Sequence, residues 1–309
     1  MKPFISICIP AYNARRYLAA TLATVREQTF ADWELIVTED GSPEGSEDLV
    51  RAFARTVAQP VTYQAHPTNR GLPAARNTGI AAAAGTWIAL LDSDDLWAPE
   101  HLATLVDWAR RQPEIDFFHA GSVLFESESG REIEIRAPSL AAIQDYPRSL
   151  YLGGYVVQPS AVLMKKSLWA RVGGFNPDYR YVEDREMWLR CARAGAVFAY
   201  TGLNTCLYRK HASALTTHAG PMALASAQVL DQHLDWDVIP RPLRRRLTAE
   251  AWTSAGRIAL RAAPATARDC FARAWSVRPS VRVACYWLAS WAFGAARIGS
   301  STGVHAPAR

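Results

Sequence analysis

The sequence predicts an α/β fold, a mostly parallel sheet flanked by helices, with an α-helical C-terminal appendage. Three observations predict it. Short apolar, β-branched runs alternate with helical patterns through the first hundred residues, and polar or acidic clusters follow directly after those runs. Beyond Gly220-Pro221 the chain turns alanine-, arginine- and tryptophan-rich with helical periodicity. Strands that alternate with helices pair in parallel, and ligands of open parallel sheets sit beyond the carboxyl ends of the strands.

Phe4 to Ile9 read as the first strand, stopped by Pro10 and followed by Ala11-Tyr12-Asn13 and a helix to about Gln28. Trp33 to Thr38 form the second and run into Glu39-Asp40-Gly41-Ser42. Val61 to Ala65 form the third, after which Asn69-Arg70-Gly71-Leu72-Pro73 leads into an alanine-rich helix from about Ala74 to Ala84. Thr86 to Leu91 form the fourth, buried strand, set off by Gly85.

The fourth strand exits into Asp92-Ser93-Asp94-Asp95. Carboxylates this close repel one another unless a cation or hydrogen-bond donors compensate. Hard oxygen ligands favour Mg²⁺ or Mn²⁺, with water and substrate phosphates filling the remaining positions. Read alone, the cluster fits an Asp-rich turn capping the helix near Pro99 equally well. Further along, Glu183 and Asp184 open a helix whose buried face carries Trp188, Leu189, Cys191 and Ala192; the helix macrodipole favours negative charge there, as in any acidic N-terminus.

Four segments now stand in a recognisable order. Ser6 to Asn13 (SICIPAYN), Glu39 to Ser42 (EDGS), Asn69 to Gly79 (NRGLPAARNTG) and Leu91 to Trp97 (LDSDDLW) resemble family 2 glycosyltransferases of the GT-A fold. The resemblance implies inverting, metal-dependent transfer of a sugar from a nucleoside diphosphate sugar, most often UDP-linked, to an acceptor hydroxyl. Pro10, Tyr12 and Asn13 match the first nucleotide-contacting loop. Glu39 and Asp40 match an aspartate pair holding base and ribose, with Glu39 departing by one methylene. Asn69 and Gly71 fall in the polar loop at the same edge. Asp92, Ser93 and Asp94 match the metal motif, in which Asp92 faces the ribose and Asp94 binds the ion. Arg76 lies near the nucleotide or is a helix-surface arginine pairing with an acid.

Val172-Gly173-Gly174-Phe175, Glu183-Asp184 and Trp188-Leu189-Arg190 also look like the family. There the aspartate is the base that activates the acceptor hydroxyl, a role carried to Asp184, with Glu183 as its neighbour or a contact to the acceptor. Tyr208-Arg209-Lys210-His211 matches a segment whose imidazole completes the metal sphere, so His211 joins Asp94 as a metal ligand. Arg209 and Lys210 neutralise the leaving diphosphate or form a solvated turn.

With 309 residues, 50% hydrophobic and 20% charged, the chain has room for a catalytic domain over residues 1–218 and a helical region over 219–309. Five scattered cysteines with no Cys-x-x-Cys pair argue for a reducing compartment and against zinc or disulfides. The N-terminal apolar run is too short for a signal peptide, and no run reaches the roughly 18 residues of a membrane span. The expectation is a cytoplasmic enzyme, peripheral at the inner face of the membrane if its acceptor is lipid-linked.

From Arg241 onward the chain has twelve arginines, no lysine and only Glu250 and Asp269 as acids, within a total of +5. A basic tail behind an acidic domain suggests an anionic surface as partner. Helices are expected at 222–234, 243–262 and 266–277, the last two as a hairpin. In a further helix over 281–298, Val283, Tyr286, Trp287, Ser290, Trp291 and Gly294 share a face. Residues 279–309 are expected to pack on the catalytic domain or a second copy, or to lie in a bilayer interface. No nucleic-acid module accompanies the arginines.

The function class is therefore a glycosyltransferase for bacterial surface polysaccharide, glycolipid or glycoprotein glycan, with a saccharide, lipid-linked or protein-linked acceptor. The alternative is a catalytically silent nucleotide-sugar-binding scaffold subunit, which would be expected to lose Asp94 or Asp184. A nucleotidyltransferase would carry a glycine-rich signature where Pro10-Ala11-Tyr12-Asn13 stands.

Overall fold

The structure, a computed structural model, describes residues 2–154, 157–211 and 218–300, with side chains to residue 291. The chain forms two compact units, residues 1–214 and 215–309.

The first unit opens with β1 (Ile5–Ala11), α1 (Arg15–Arg26), β2 (Trp33–Glu39), α2 (Glu47–Ala54), β3 (Val61–Ala65), α3 (Leu72–Ala82) and β4 (Trp87–Leu90). It continues with β5 (Leu96–Trp97), α4 (His101–Arg111), β6 (Phe117–Glu126), β7 (Glu132–Arg136), α5 (Leu140–Gln144) and α6 (Tyr146–Leu152). A 3-10 turn (Pro159–Ala161), β8 (Val162–Lys165), α7 (Lys166–Val172), α8 (Glu183–Arg193) and β9 (Phe198–Lys210) complete it.

The sheet runs β3-β2-β1-β4-β8-β6-β9-β5, with β7 on β6. Its first four strands are parallel. β8 then pairs antiparallel with both β4 and β6, and β5 antiparallel with β9, while β6 and β9 are parallel. The expected α/β class holds, but the sheet is mixed rather than mostly parallel. Buried β8 reverses direction between two sets of strands, and the expectation rested only on the strand-helix alternation of the first half.

Helices cover both faces. Ile5, Ile7 and Ile9 point into a core with Leu18 and Leu22 of α1, Val50 and Phe53 of α2, and Leu102 and Leu105 of α4. The opposite face meets α3, where Gly79 lies close enough that an added Cβ would stand 3.1 Å from the Thr38 hydroxyl. Burial on both faces explains why β1 is apolar without alternation.

Pro10 does not stop β1. The ladder to β2 runs on to Ala11 opposite Glu39, whereas the ladder to β4 ends at Cys8 opposite Leu90. By the period-2 alternation, the missing N–H of Pro10 falls on the side that β4 has already left, so no bond is lost.

The second unit contains α9 (Ala219–Gln232), α10 (Arg241–Ala259), α11 (Pro264–Val277) and α12 (Val281–Ser300). Ala227, Trp252, Ala255, Cys270, Ala274 and Val283 form its core. Gly256 lets α10 and α11 approach, since a Cβ there would stand 2.6 Å from the Phe271 ring. Of the α12 face expected to meet the catalytic domain, a second copy or a bilayer, the N-terminal part packs within this unit. Val283 and Ser290 are buried and Tyr286 stacks on Phe271 at 5.6 Å, leaving Leu288 and Trp291 exposed. No helix among the described residues is long and apolar enough to cross a membrane.

Candidate active site

β1 and β4 are neighbours, yet the chain proceeds from β1 to β2 and β3 on one side and then returns to β4 on the other. That reversal opens a crevice beyond their carboxyl ends. The loops after β1, β2, β3 and β4 all reach this edge, bringing Tyr12, Asp40, Asn69 and Asp92 to one region as the sequence predicted.

The loops are tied to one another. Asn13, at φ +51°, donates its amide to the Ser42 hydroxyl at 2.7 Å, and Tyr12 remains about half exposed. Both carboxylates after β2 are buried. Glu39 accepts from the Ser46 amide at 3.2 Å and its hydroxyl at 2.7 Å, and also from the Ser42 hydroxyl. Asp40 accepts from the amides of Arg70 (2.9 Å) and Gly71 (2.7 Å) and contacts His66 Nδ1 at 2.6 Å. Their protein partners mean that Glu39 and Asp40 shape the loops 41–46 and 66–71, and those loops form the surface offered at the edge. Gly41, at φ +71°, lets the two loops touch.

The acidic cluster after β4 divides into different environments. Asp95 is fully buried: it accepts from the Ser160 hydroxyl at 2.6 Å and the Arg209 amide at 2.9 Å. Burial, with Asp94 and Asp92 nearby, pushes its carboxyl well above the usual range. Thr21 bonds the carbonyls of Ser93 (3.0 Å) and Asp95 (2.9 Å), and the Asp92 amide bonds Ser160. So held, the loop projects Asp92 and Asp94, both partly exposed, toward the crevice. Asp94 Oδ2 lies 2.8 Å from His211 Nε2.

Arg209 is neither a solvated turn nor a free cation. It is buried between the rings of Tyr17 and Phe125, 4.8 Å from each, and its Nε donates to the Asp94 carbonyl at 2.6 Å. Lys210 is exposed.

Arg76 joins the two halves of the site. It is 1% exposed, so it is not the helix-surface arginine that was one of its two sequence readings. Nη2 donates to Asp92 at 2.7 Å and Nη1 to Glu183 at 2.6 Å, while the guanidinium lies over the Phe175 ring. Asp92, Glu183 and Asp184 raise its already high proton affinity, against burial as the largest opposing influence. Glu183 is pushed up to about 7, by burial first and by Asp184, with Arg76 pulling the other way. Asp184 is also raised, chiefly by burial and further by Asp92, against the Arg185 amide and Arg76. Asp184 follows the Arg76-bound Glu183 in the first turn of α8.

The backbone before this helix is unusual. Val182 sits at φ +52°, left-handed for a β-branched residue, a conformation that costs of order 1–3 kcal/mol and needs support. Its carbonyl accepts from the Glu186 amide at 3.0 Å, and the Glu186 carboxylate pairs with Arg190, which also bonds the carbonyls of Val172 and Gly174. Asn77 grips Phe175 from both sides, accepting from its amide at 2.8 Å and donating to its carbonyl at 2.7 Å. Asn77, Ser160 and Thr21 were not read from the sequence as contributors. Asn77 lies within the Asn69–Gly79 motif, and the other two carry no local signal.

The residues present suit a divalent cation. Asp94 and His211 bring a carboxylate and an imidazole together at the crevice, a mixed O/N donor pair suited to Mn²⁺ and less so to Mg²⁺, with the other positions left for diphosphate and water. Among the described residues no cluster of three such side chains forms a closed cage.

The comparisons agree with this architecture. The profile of glycosyl transferase family 2 matches residues 6–169, more than half of the chain, and the protein belongs to that family. It is therefore a glycosyltransferase with a GT-A fold. TuaG of Bacillus subtilis, whose name assigns it provisionally to teichuronic acid biosynthesis, is 26% identical over 67% of this chain and 78% of its own. The Escherichia coli UDP-Glc:alpha-D-GlcNAc-diphosphoundecaprenol beta-1,3-glucosyltransferase WfgD is 37% identical over 98 residues, 32% of this chain and 38% of that protein. Among solved structures, S. aureus TarS 1-349 with UDP-GlcNAc aligns with TM-score 0.64 and 16% identity, covering 94% of this chain and 79% of that one. The Pyrobaculum calidifontis mannosyltransferase PcManGT with GDP-Man and Mn²⁺ aligns with TM-score 0.62 and 18% identity, covering 99% and 89%.

Proposed function

We propose that this protein transfers a hexosyl or N-acetylhexosaminyl group from a nucleoside diphosphate sugar, UDP-linked, to an acceptor hydroxyl with inversion at the anomeric carbon. The observation that carries the reading is the Asp92–Arg76–Glu183 bridge, which joins the loop after β4 to the start of α8. Through it the donor corner and the candidate base belong to one site.

Tyr12, Asn13 and the loops shaped by Glu39, Asp40, Asn69 and Gly71 receive the nucleoside, and Asp92 and Ser93 face its ribose. Asp94 and His211 would hold Mn²⁺ or Mg²⁺, which when bound offsets the charge growing on the leaving diphosphate. Asp184 takes the acceptor proton as the acceptor oxygen attacks the anomeric carbon opposite the diphosphate. The carbon–oxygen bond to phosphate breaks with its electron pair leaving on the diphosphate. Because its proton affinity is raised, Asp184 is a better base than an ordinary carboxylate, and turnover rises with pH through its ionisation. Glu183, held by Arg76, fixes the first turn of α8.

The acceptor is a growing bacterial surface glycan, lipid-linked at the inner face of the membrane, a class supported by the names of TuaG and WfgD. The test screens nucleotide sugars with Mn²⁺ or chelator for release of nucleoside diphosphate onto glycan acceptors. Asp184→Asn should abolish release while the donor still raises the melting temperature. Full turnover in that variant removes the base assignment, and no turnover by the wild type with any donor favours the silent scaffold.

A further inference from the structure

The helical unit has a cavity of about 140 Å³ of its own, unconnected with the reading above. α10 supplies Arg246, Glu250, Ser254 and Arg257, spaced so that all fall on one helical face. The turn between α11 and α12 adds Arg278 and Ser280, and α12 adds Arg282. Ala249 and Val283, both buried, line it beneath the polar groups.

Four guanidinium groups therefore share this opening with one carboxylate. Glu250 is 3.6 Å from Arg246, and among the described residues Arg257, Arg278 and Arg282 form no ion pair. Two other acids of the unit are engaged elsewhere, Asp231 with Arg273 and Asp237 with Arg244. Arg257 and Arg282 also lie against the same Tyr286 ring, 5.6 and 6.0 Å from its centre. Guanidinium groups that line one opening repel one another, and an anion among them relieves that repulsion.

Size and donor geometry select the anion. The cavity is well below the roughly 300 Å³ at which pockets begin to enclose whole small molecules, so it suits a single anionic group. Guanidinium forks match phosphate oxygens two at a time, and Ser254 and Ser280 add hydroxyl donors. We propose that the cavity bounded by Arg246, Arg257, Arg278 and Arg282 is a binding site for a phosphate or diphosphate group, separate from the crevice at the sheet edge.

The group could be carried by a small solute or by a lipid headgroup, and two probes separate these sources. The full chain, without divalent cation, is titrated with inorganic pyrophosphate by calorimetry and floated with phosphatidylcholine vesicles with or without phosphatidylglycerol. Arg257→Gln/Arg282→Gln changes only exposed side chains. Ser254→Glu is a second variant, which places a carboxylate in the opening. Both should weaken binding at least tenfold, in the pyrophosphate arm for a solute or in the anionic-vesicle arm for a lipid, with circular dichroism unchanged. Binding of both probes unaltered by both variants, or no binding of either probe to the wild type, overturns the proposal.

Discussion

Replacing Arg76 by Met keeps the length and the apolar stem but removes the charge that lies between Asp92 and Glu183. Breaking a buried, hydrogen-bonded ion pair from one side costs about 3–5 kcal/mol, because the remaining charge is left uncompensated. Arg76 has two such partners, at 2.7 and 2.6 Å, and is itself 1% exposed, so the loss at pH 8 should lie within that range. Its pH dependence follows from Glu183, whose carboxyl rises from an ordinary 4.5 to about 7 on folding. A raised carboxyl contributes stability that is fully present below about pH 4.5 and lost as pH rises through about 7, a swing of about 3 kcal/mol. Arg76 restrains that rise. Without it the folded value climbs further, and the loss continues above pH 7. Arg76→Met should therefore be more destabilised, relative to wild type, at pH 8 than at pH 5, where Glu183 takes up its proton. Adding Glu183→Gln should recover part of the pH 8 loss. Urea unfolding of the wild type, both single variants and the double variant at the two pH values measures this. A loss below about 1 kcal/mol at pH 8, or one equal at both pH values, refutes the reasoning.

Two further outcomes are expected. Gly41→Ala adds a Cβ at φ +71° that would stand 2.4 Å from the Thr68 carbonyl carbon and 2.6 Å from the Asn69 nitrogen, both backbone. It should cost about 2–4 kcal/mol, read as a lowered urea midpoint, and a midpoint within error of wild type would show that the loops can part. UDP with Mn²⁺ should raise the melting temperature more than UDP with chelator, and Asp94→Asn and His211→Gln should each remove that difference; if it persists in both, the ion is held elsewhere.

Parts of the fold were legible because the relevant physics is local. β2 and β3 are short runs with β-branched and aromatic residues ended by polar clusters, and they lie within a residue of where the sequence places them. The buried face of α8, Trp188, Leu189 and Cys191, followed from helical spacing. Pro10 was misread as a strand end because whether a missing N–H matters depends on which neighbour has already left. β9 runs from Phe198 to Lys210, since pairing with β6 carries it past Gly202. On α12, Val283, Tyr286 and Ser290 face α11 or are buried while Trp291 of the same expected face is exposed, a division that helical spacing does not specify.

At the site, the motifs brought Asp92, Asp94, Asp184 and His211 into consideration, but none of them states a distance. Arg76 looked equally suited to a surface or to a nucleotide, and only packing against Phe175 and two acids from elements 16 and 107 residues away in sequence made it a buried bridge. Ser160, Thr21 and Asn77 hold the acidic loop and the Phe175 turn through bonds to backbone groups distant in sequence, and such bonds leave no periodicity to read.

The order of residues suffices for the class: alternating runs make a layered α/β sheet, and four spaced motifs resemble those of the glycosyltransferases. Which charges face one another is set by the folding of distant segments into contact. Coulombic coupling and desolvation depend on separations of a few ångströms across a folded interior, and a linear order of residues does not contain those separations.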